Sequence, residues 1–260
     1  PALLMAHPLG MSRDVWDDVC HQLHGHYRCI RWDLPGHGSS GAASQAVTIE
    51  QLAHDALYLA DTLDISRFSF IGTSIGGMIG QSLCQLAPDR LEQVWLTNTG
   101  AVIGTEAAWA ERANNVRSIG LAAMAETIVP RWFSPTYTTE NPAVLQGWQV
   151  QLSRSDDESY AKLCEAIANV DNRKNLTTYA DKVVLVAGAD DVSTPPATLE
   201  GLRDEFADAE LKVFEGVGHV PSIEATSQLV KLIQSDEARS TVGQTGIGYE
   251  QGLVQRKRIL

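Results

Sequence analysis

The sequence predicts an α/β fold: a mostly parallel sheet with helices on both faces and a block of helices inserted part-way along. Three observations predict it. Short apolar runs alternate with segments of helical period, as parallel strands joined by crossover helices require. One run, Phe68-Ser69-Phe70-Ile71, passes directly into Gly72-Thr73-Ser74-Ile75-Gly76, which reads as a sharp strand-to-helix turn with a serine at its apex. Residues 100–179 then suspend the alternation with several helical segments and no convincing strand.

Taken in order, Leu3-Leu4-Met5-Ala6 is a short strand that runs into His7-Pro8-Leu9-Gly10. Asp14–Leu23 follows as a helix, with Val15, Trp16, Val19 and Leu23 at helical spacing. Tyr27–Trp32 is the next strand, and it ends in Asp33-Leu34-Pro35-Gly36-His37-Gly38, a turn rich in Gly and Pro. Thr48-Ile49-Glu50-Gln51 has the form of a capping box and opens a helix through Leu63. After the serine turn, a helix to Ala87 is closed by Pro88, and Val94–Thr97 is a further strand. The inserted block contains helices over Ala107–Ile119, Leu121–Trp132 and Ser159–Val170. The alternation resumes with the strand Val183–Ala187, delivering Gly188-Ala189-Asp190-Asp191, and the strand Leu211–Phe214, delivering Gly216-Val217-Gly218-His219. Ser222–Ile233 is the closing helix. This divides the chain into a core of residues 1–99 and 180–236, a helical cap of residues 100–179, and a tail of residues 237–260.

Composition narrows the function. A chain of 260 residues with 44% apolar content suits one α/β domain with a modest insertion. Its net charge of −12 argues against nucleic acid and anionic membrane surfaces as partners. It also means that an anionic substrate needs locally placed arginines. No run approaches the roughly 18 apolar residues of a membrane span, and no signal peptide is visible. Cys20, Cys29, Cys84 and Cys164 show no C-x-x-C spacing, so buried free thiols in a reducing cytoplasm are expected. Both ends look cut: the chain enters a strand at Pro1, and Gly243, Gly246, Gly248 and Gly252 punctuate a polar, linker-like tail.

A G-x-S-x-G pattern alone arises by chance in roughly one chain in ten of this length, so the flanking elements carry the weight. A strand before Ser74 and a helix after it make the pattern a nucleophile elbow, in which strained backbone holds the hydroxyl above the sheet. Serine is a poor nucleophile at neutral pH without a base to take its proton. His219, after a late strand, is the candidate base, and Asp191 the candidate for orienting its ring. Asp190 is the rival acid, but counting to Pro195 favours Asp191. The order Ser, Asp, His is that of the α/β-hydrolase fold. Two backbone N–H groups, of Leu9 and Ile75, are the candidate oxyanion hole, since Pro8 has no N–H to offer. His7 reads as a buttress of its loop and His37 as a turn residue. His21, His24 and His26 lack carboxylates at ligand spacing and read as surface residues, so no metal is expected there. In the cap, Arg131-Trp132-Phe133 has two readings: an arginine binding a substrate carboxylate under Trp132 and an apolar lid, or a solvated helix end with Trp132 in the local core. Trp109 and Trp148 are packing residues or pocket lining.

From Pro1 to about Gln234 the chain resembles the 3-oxoadipate enol-lactonases. The resemblance is carried by His7–Gly10, Asp33–Gly38, Thr48–Leu63, the elbow and Gly188–Pro196, and most specifically by Asn98–Thr105 and Met124–Phe133. It implies hydrolysis of a five-membered enol-lactone with an acetate side chain, a small anionic substrate, in the β-ketoadipate route of aromatic catabolism, with no metal or organic cofactor needed. Tyr249–Arg258 in turn resembles the opening of 4-carboxymuconolactone decarboxylase, which implies a fused protein. The triad does not distinguish a lactonase from a carboxylesterase, a C–C bond hydrolase or a cofactor-free haloperoxidase on the same scaffold. A binding protein of this fold is a further alternative, disfavoured because every part of the triad and oxyanion loop is present.

Overall fold

The computed structural model describes residues 1–179 and 181–236. The decarboxylase-like segment Tyr249–Arg258 therefore lies outside the described residues. Six strands, β1 (Ala2–Ala6), β2 (Arg28–Arg31), β3 (Phe68–Thr73), β4 (Leu91–Thr97), β5 (Val183–Gly188) and β6 (Ala209–Phe214), form one sheet in the order β2-β1-β3-β4-β5-β6. Every neighbouring pair is parallel. All residues of β1, β3 and β5 are buried, which is the pattern of strands covered on both faces. At the edges, β2 and β6 carry Arg28, Arg31, Glu210 and Lys212, charges that blunt edge pairing.

The helices α1 (Asp17–Gln22), α2 (Ile49–Thr62) and α3 (Ile75–Leu86) follow the first strands. Thr48 caps α2 by accepting from the Gln51 N–H at 3.0 Å. The reciprocal arm of the box is missing, because the Gln51 amide donates to Asp55 instead. Between β4 and β5 lie α4 (Glu106–Ile128), α5 (Pro135–Glu140), α6 (Pro142–Ser153) and α7 (Asp157–Ala168). The two helices expected over Ala107–Ile119 and Leu121–Trp132 are the two halves of α4, separated at Gly120, whose φ of +80° and ψ of 157° are not helical. The free N–H of Leu121 at the break donates to the Asp157 carboxylate at 2.8 Å, so α7 caps the kink in α4. Val129–Trp132 tightens into a 3₁₀ turn around Pro130, which has no N–H to continue an α-helix.

After β5 come α8 (Pro196–Arg203), then β6, α9 (Pro221–Glu224) and helical residues 226–236, the last of the described residues. The single closing helix expected over 222–233 is thus interrupted at Ala225, which leaves helical geometry at φ −137°, ψ 39°. The cysteine expectation also needs correction. Cys84 and Cys164 are buried, whereas Cys20 and Cys29 are half-exposed, because α1 and β2 lie at the margin of the sheet; all four are free.

The inserted helices dock on the turn after β2. Gly36 (φ +71°) lies so close to α7 that a Cβ there would sit 2.2 Å from the Ser159 Cβ. The Asp156 N–H donates to the Gly36 carbonyl at 3.1 Å, and the Ser159 hydroxyl accepts from the Ala43 N–H at 2.8 Å.

The closest backbone approach that concerns the site is at the serine turn. A Cβ on Gly72 would lie 2.1 Å from the Gly76 carbonyl oxygen, and one on Gly76 would lie 2.3 Å from that of Ala6. Both obstacles are backbone, so no rotamer change relieves them. Gly76→Ala should therefore cost about 3 kcal/mol or more in urea unfolding. Gly147→Ala, in the exposed middle of α6 with nothing within 4 Å, should stabilise by about 0.5–1 kcal/mol. Equal effects at the two glycines would contradict this packing.

Candidate active site

Ser74 sits between β3 and α3 at φ +59°, ψ −117°, a conformation costly for any residue with a Cβ. Neighbouring strands hold it there. Its N–H donates to the Thr97 carbonyl at 3.0 Å, and the Thr99 hydroxyl donates to its carbonyl at 2.7 Å. A serine at a helix N-terminus ordinarily turns its hydroxyl back to cap the helix. The Ser74 side chain makes no such bond, and it lines a cavity instead.

Asp191 stands in the loop after β5 and His219 in the loop after β6, so both reach the carboxyl-terminal edge of the sheet beside the elbow. His219 Nδ1 and Asp191 Oδ2 are 2.7 Å apart. The same oxygen accepts from Asn98 Nδ2 at 2.9 Å and the Thr194 hydroxyl at 2.7 Å, and Oδ1 accepts from the N–H groups of Ser193 and Thr194 at 2.8 and 3.1 Å. Burial alone would raise the pKa of this carboxylate; His219, Asn98 and Thr194 outweigh it and hold the group well below the usual carboxylate range. Asp190 makes none of these contacts; its N–H is bonded to the Val217 carbonyl.

The loop after β1 is set by two histidines. Leu34 N–H donates to His7 Nε2 at 2.9 Å, and Gly10 N–H donates to His37 Nε2 at 3.0 Å. Each ring thus accepts at Nε2 and donates from Nδ1, His7 to the Pro8 carbonyl and His37 to that of Pro35. Both rings must be neutral to do so. Burial, with the neighbouring His37, takes the pKa of His7 down to about 3, and burial lowers that of His37 as well. Together they tie the loop His7–Gly10 to the turn Leu34–His37. Leu9, in the loop so fixed, lines the cavity with Ser74. Ile75 opens α3, where the first N–H groups have no intrahelical acceptor.

The cavity measures about 190 Å³. Leu9, Ser74 and His219 form its floor, and Trp109, Arg112, Arg131, Trp132 and Tyr160 of the inserted helices close over it. Among the described residues no acidic side chain lines it. Arg112 is half-buried and donates to the Tyr160 hydroxyl at 3.3 Å, while Arg131 is exposed at the rim. Neither has an acidic partner among the described residues. Trp132 is buried, and its carbonyl accepts the His219 N–H at 2.9 Å. Trp148 packs against the core and does not line the cavity. His21, His24 and His26 are exposed around the end of α1.

A family model described as the alpha/beta hydrolase fold matches residues 1–226. The chain belongs to that family. It is 34% identical to 3-oxoadipate enol-lactonase 2 of Acinetobacter baylyi, over 86% of this chain and 84% of that protein. It is 27% identical to 3-oxoadipate enol-lactonase 1 of the same organism, over 89% and 86%. Among solved structures, the enol-lactonase from Burkholderia xenovorans superposes with a TM-score of 0.87 at 34% identity, covering 90% of each chain. The α/β-hydrolase fold read from the sequence is thus established, with all six described strands parallel rather than mostly so.

The structure brings every sequence-derived candidate, Ser74, Asp191, His219, Leu9, Ile75, Arg131 and Trp132, to one end of the sheet. Arg112 and Asn98 had no assigned role in the sequence. Arg112 looks like any polar residue of an amphipathic helix. Asn98 carries a weak signal, a polar residue directly after a buried strand; its φ of +48° and its bonds to Asp191 and Gly218 show only in three dimensions.

The two neutral histidines make stability depend on pH. Between the ordinary histidine value near 6.5 and about 3, the unfolded chain binds a proton at His7 and the folded chain does not. This contribution is complete above pH 6.5 and is lost as pH falls through that window. Ring-nitrogen NMR should find His7 neutral at pH 5, with urea stability falling from pH 7 to pH 4. A His7 that titrates near 6.5 would contradict the assigned tautomer.

Proposed function

We propose that this hydrolase opens 3-oxoadipate enol-lactone, or a close relative with the same pendant carboxylate, by a serine mechanism. The observation that carries the reading is the cavity itself. In a chain of net charge −12, the space over Ser74 and His219 is lined, among the described residues, by no acid and by two arginines without acidic partners. Similarity to the enol-lactonases of Acinetobacter baylyi and Burkholderia xenovorans supports the same substrate class.

In this reading Ser74 Oγ attacks the lactone carbonyl as its proton passes to His219 Nε2. The imidazolium is stabilised by Asp191, whose carboxylate stays ionised throughout. Negative charge on the carbonyl oxygen is met by the N–H groups of Leu9 and Ile75, in place before the reaction. The ring C–O bond then breaks. The proton that His219 took from Ser74 passes to the departing oxygen, giving an enol that tautomerises to the ketone and leaving His219 neutral. The leaving group stays attached to the acyl chain. Water then gives a proton to His219 and attacks the ester; the second tetrahedral oxyanion collapses, Ser74 recovers its proton, and the diacid departs.

The helices of residues 100–179 act as a cap over the core of residues 1–99 and 180–236, excluding water and supplying the carboxylate site. Arg112 is its stronger half. Partial burial strengthens a charge-assisted bond, whereas the exposed Arg131 is screened by solvent. Trp132 and Trp109 give the apolar wall.

Measured side by side, kcat/KM should strongly favour the enol-lactone over p-nitrophenyl acetate, and Ser74→Ala should abolish both activities in a folded protein. Arg112→Ala should lower kcat/KM for the lactone by about 10- to 100-fold and for the neutral ester by no more than about threefold, with Arg131→Ala showing a smaller difference of the same sign. Comparable wild-type rates on lactone and ester would instead make this chain a general esterase.

A further inference from the structure

Glu224 lies outside the triad and the cavity lining, yet its carboxylate joins the two. Oε2 accepts the N–H of Gly218, the residue before His219, at 3.0 Å. Oε1 accepts the N–H of Ser134, two residues after Trp132, also at 3.0 Å. The His219 N–H donates to the Trp132 carbonyl at 2.9 Å, so consecutive amides of the histidine loop are held by Glu224 and by the cap. A third anchor, Asn98 Nδ2, donates to the Gly218 carbonyl at 2.9 Å and simultaneously to Asp191. The segments touch so closely that a Cβ on Gly218 would lie 2.6 Å from the Ser134 nitrogen.

We propose that Glu224 is a positioning residue that fixes His219 and the cap segment Trp132–Ser134 as one unit, so that the base and the stretch of cap wall next to Arg131 move together or not at all. Both oxygens of one carboxylate are engaged, each with a backbone amide of a different segment. Glutamine at this position offers one carbonyl oxygen and turns an NH₂ group toward the other amide; alanine offers neither and leaves two amides without their acceptors. Burial, with Asp190 nearby, raises the pKa of the Glu224 carboxyl, against which the Gly218 and Ser134 bonds act. The two amide bonds favour the ionised carboxylate and oppose the cost of its burial.

A passive brace and a positioning residue make different kinetic predictions. If Glu224 only stabilises the fold, its loss reduces the number of competent molecules and leaves each survivor unchanged. If it positions His219, every molecule is slower, and because Trp132 and the adjoining Arg131 are released together with His219, discrimination for the acidic substrate falls too. The inference rests on the reading of Ser74 and His219 as nucleophile and base. Its test therefore includes reactions that need no lactone.

Competent sites are counted with a fluorophosphonate that labels the reactive serine, and mass spectrometry of the wild-type digest checks that the label is on Ser74. Per labelled site, Glu224→Ala should lower kcat by about tenfold or more on both the enol-lactone and p-nitrophenyl acetate, and slow the labelling reaction itself. The lactone-to-ester preference should shrink by at least about threefold, with Glu224→Gln between alanine and wild type. Combined with Arg131→Ala, the loss of lactone preference should be smaller than the product of the two single losses. Glu224→Ala or Glu224→Gln protein, folded by circular dichroism, with kcat per labelled site and substrate preference within twofold of wild type would overturn the proposal. So would activity that falls only in step with the labelled fraction. Should the alanine variant fail to fold, the glutamine variant is judged by the same criteria.

Discussion

Strand β3 and helix α3 meet at Ser74 with no room for a Cβ at Gly72 or Gly76, and every feature of the site is referenced to that contact. The close approach forces Ser74 to a positive φ, and the positive φ keeps the hydroxyl off the end of α3 and in the cavity. Such a conformation survives only where the surroundings over-determine it. Here the Thr97 carbonyl holds the Ser74 N–H and the Thr99 hydroxyl holds its carbonyl, both from the chain at the end of the neighbouring strand. Gly76 also abuts the Ala6 carbonyl at the end of β1, so the elbow fixes where the next loop, with Leu9, must begin.

Around this fixed point the polar groups are arranged by charge state. Two histidines are kept neutral by burial and spend both ring nitrogens on backbone, making a rigid frame for the loop after β1. One aspartate is kept ionised by five hydrogen-bond donors, counting His219, in an otherwise buried site. Two arginines over the cavity have no acidic partner among the described residues. The first arrangement gives shape, the second gives the His219 ring an anionic partner, and the third leaves positive charge over the cavity. Each is a different use of the same low-dielectric surroundings.

Much of this was legible in the sequence, for identifiable reasons. The elbow was readable because its glycines are a local steric requirement written next to the serine. Asp191 and His219 were readable because parallel strands must deliver their following loops to one edge, so an acid and a histidine after late strands converge there. Other parts depend on contacts between segments remote in sequence. Gly120 marks a kink, but its cap, Asp157, is 36 residues beyond Leu121, the residue whose N–H it accepts. Arg112 gains meaning only when α4 folds over Ser74. The break at Ala225 was hidden because the apolar spacing of residues 222–233 continues through it. It comes directly after Glu224, whose carboxylate is engaged by amides 6 and 90 residues distant.

The central claim is that Ser74 is acylated by a lactone, and lactones leave a distinctive trace. Opening the ring releases no alcohol, so the acyl-enzyme carries the mass of the entire substrate, whereas an open-chain ester leaves only its acyl part. The most direct measurement is rapid acid quench of the enzyme mixed with 3-oxoadipate enol-lactone, followed by intact-mass and peptide analysis. The account predicts a transient adduct equal to the whole lactone, on the peptide containing Ser74 and absent from Ser74→Ala. Product formation with no adduct at any quench time, or an adduct on another residue, would contradict it.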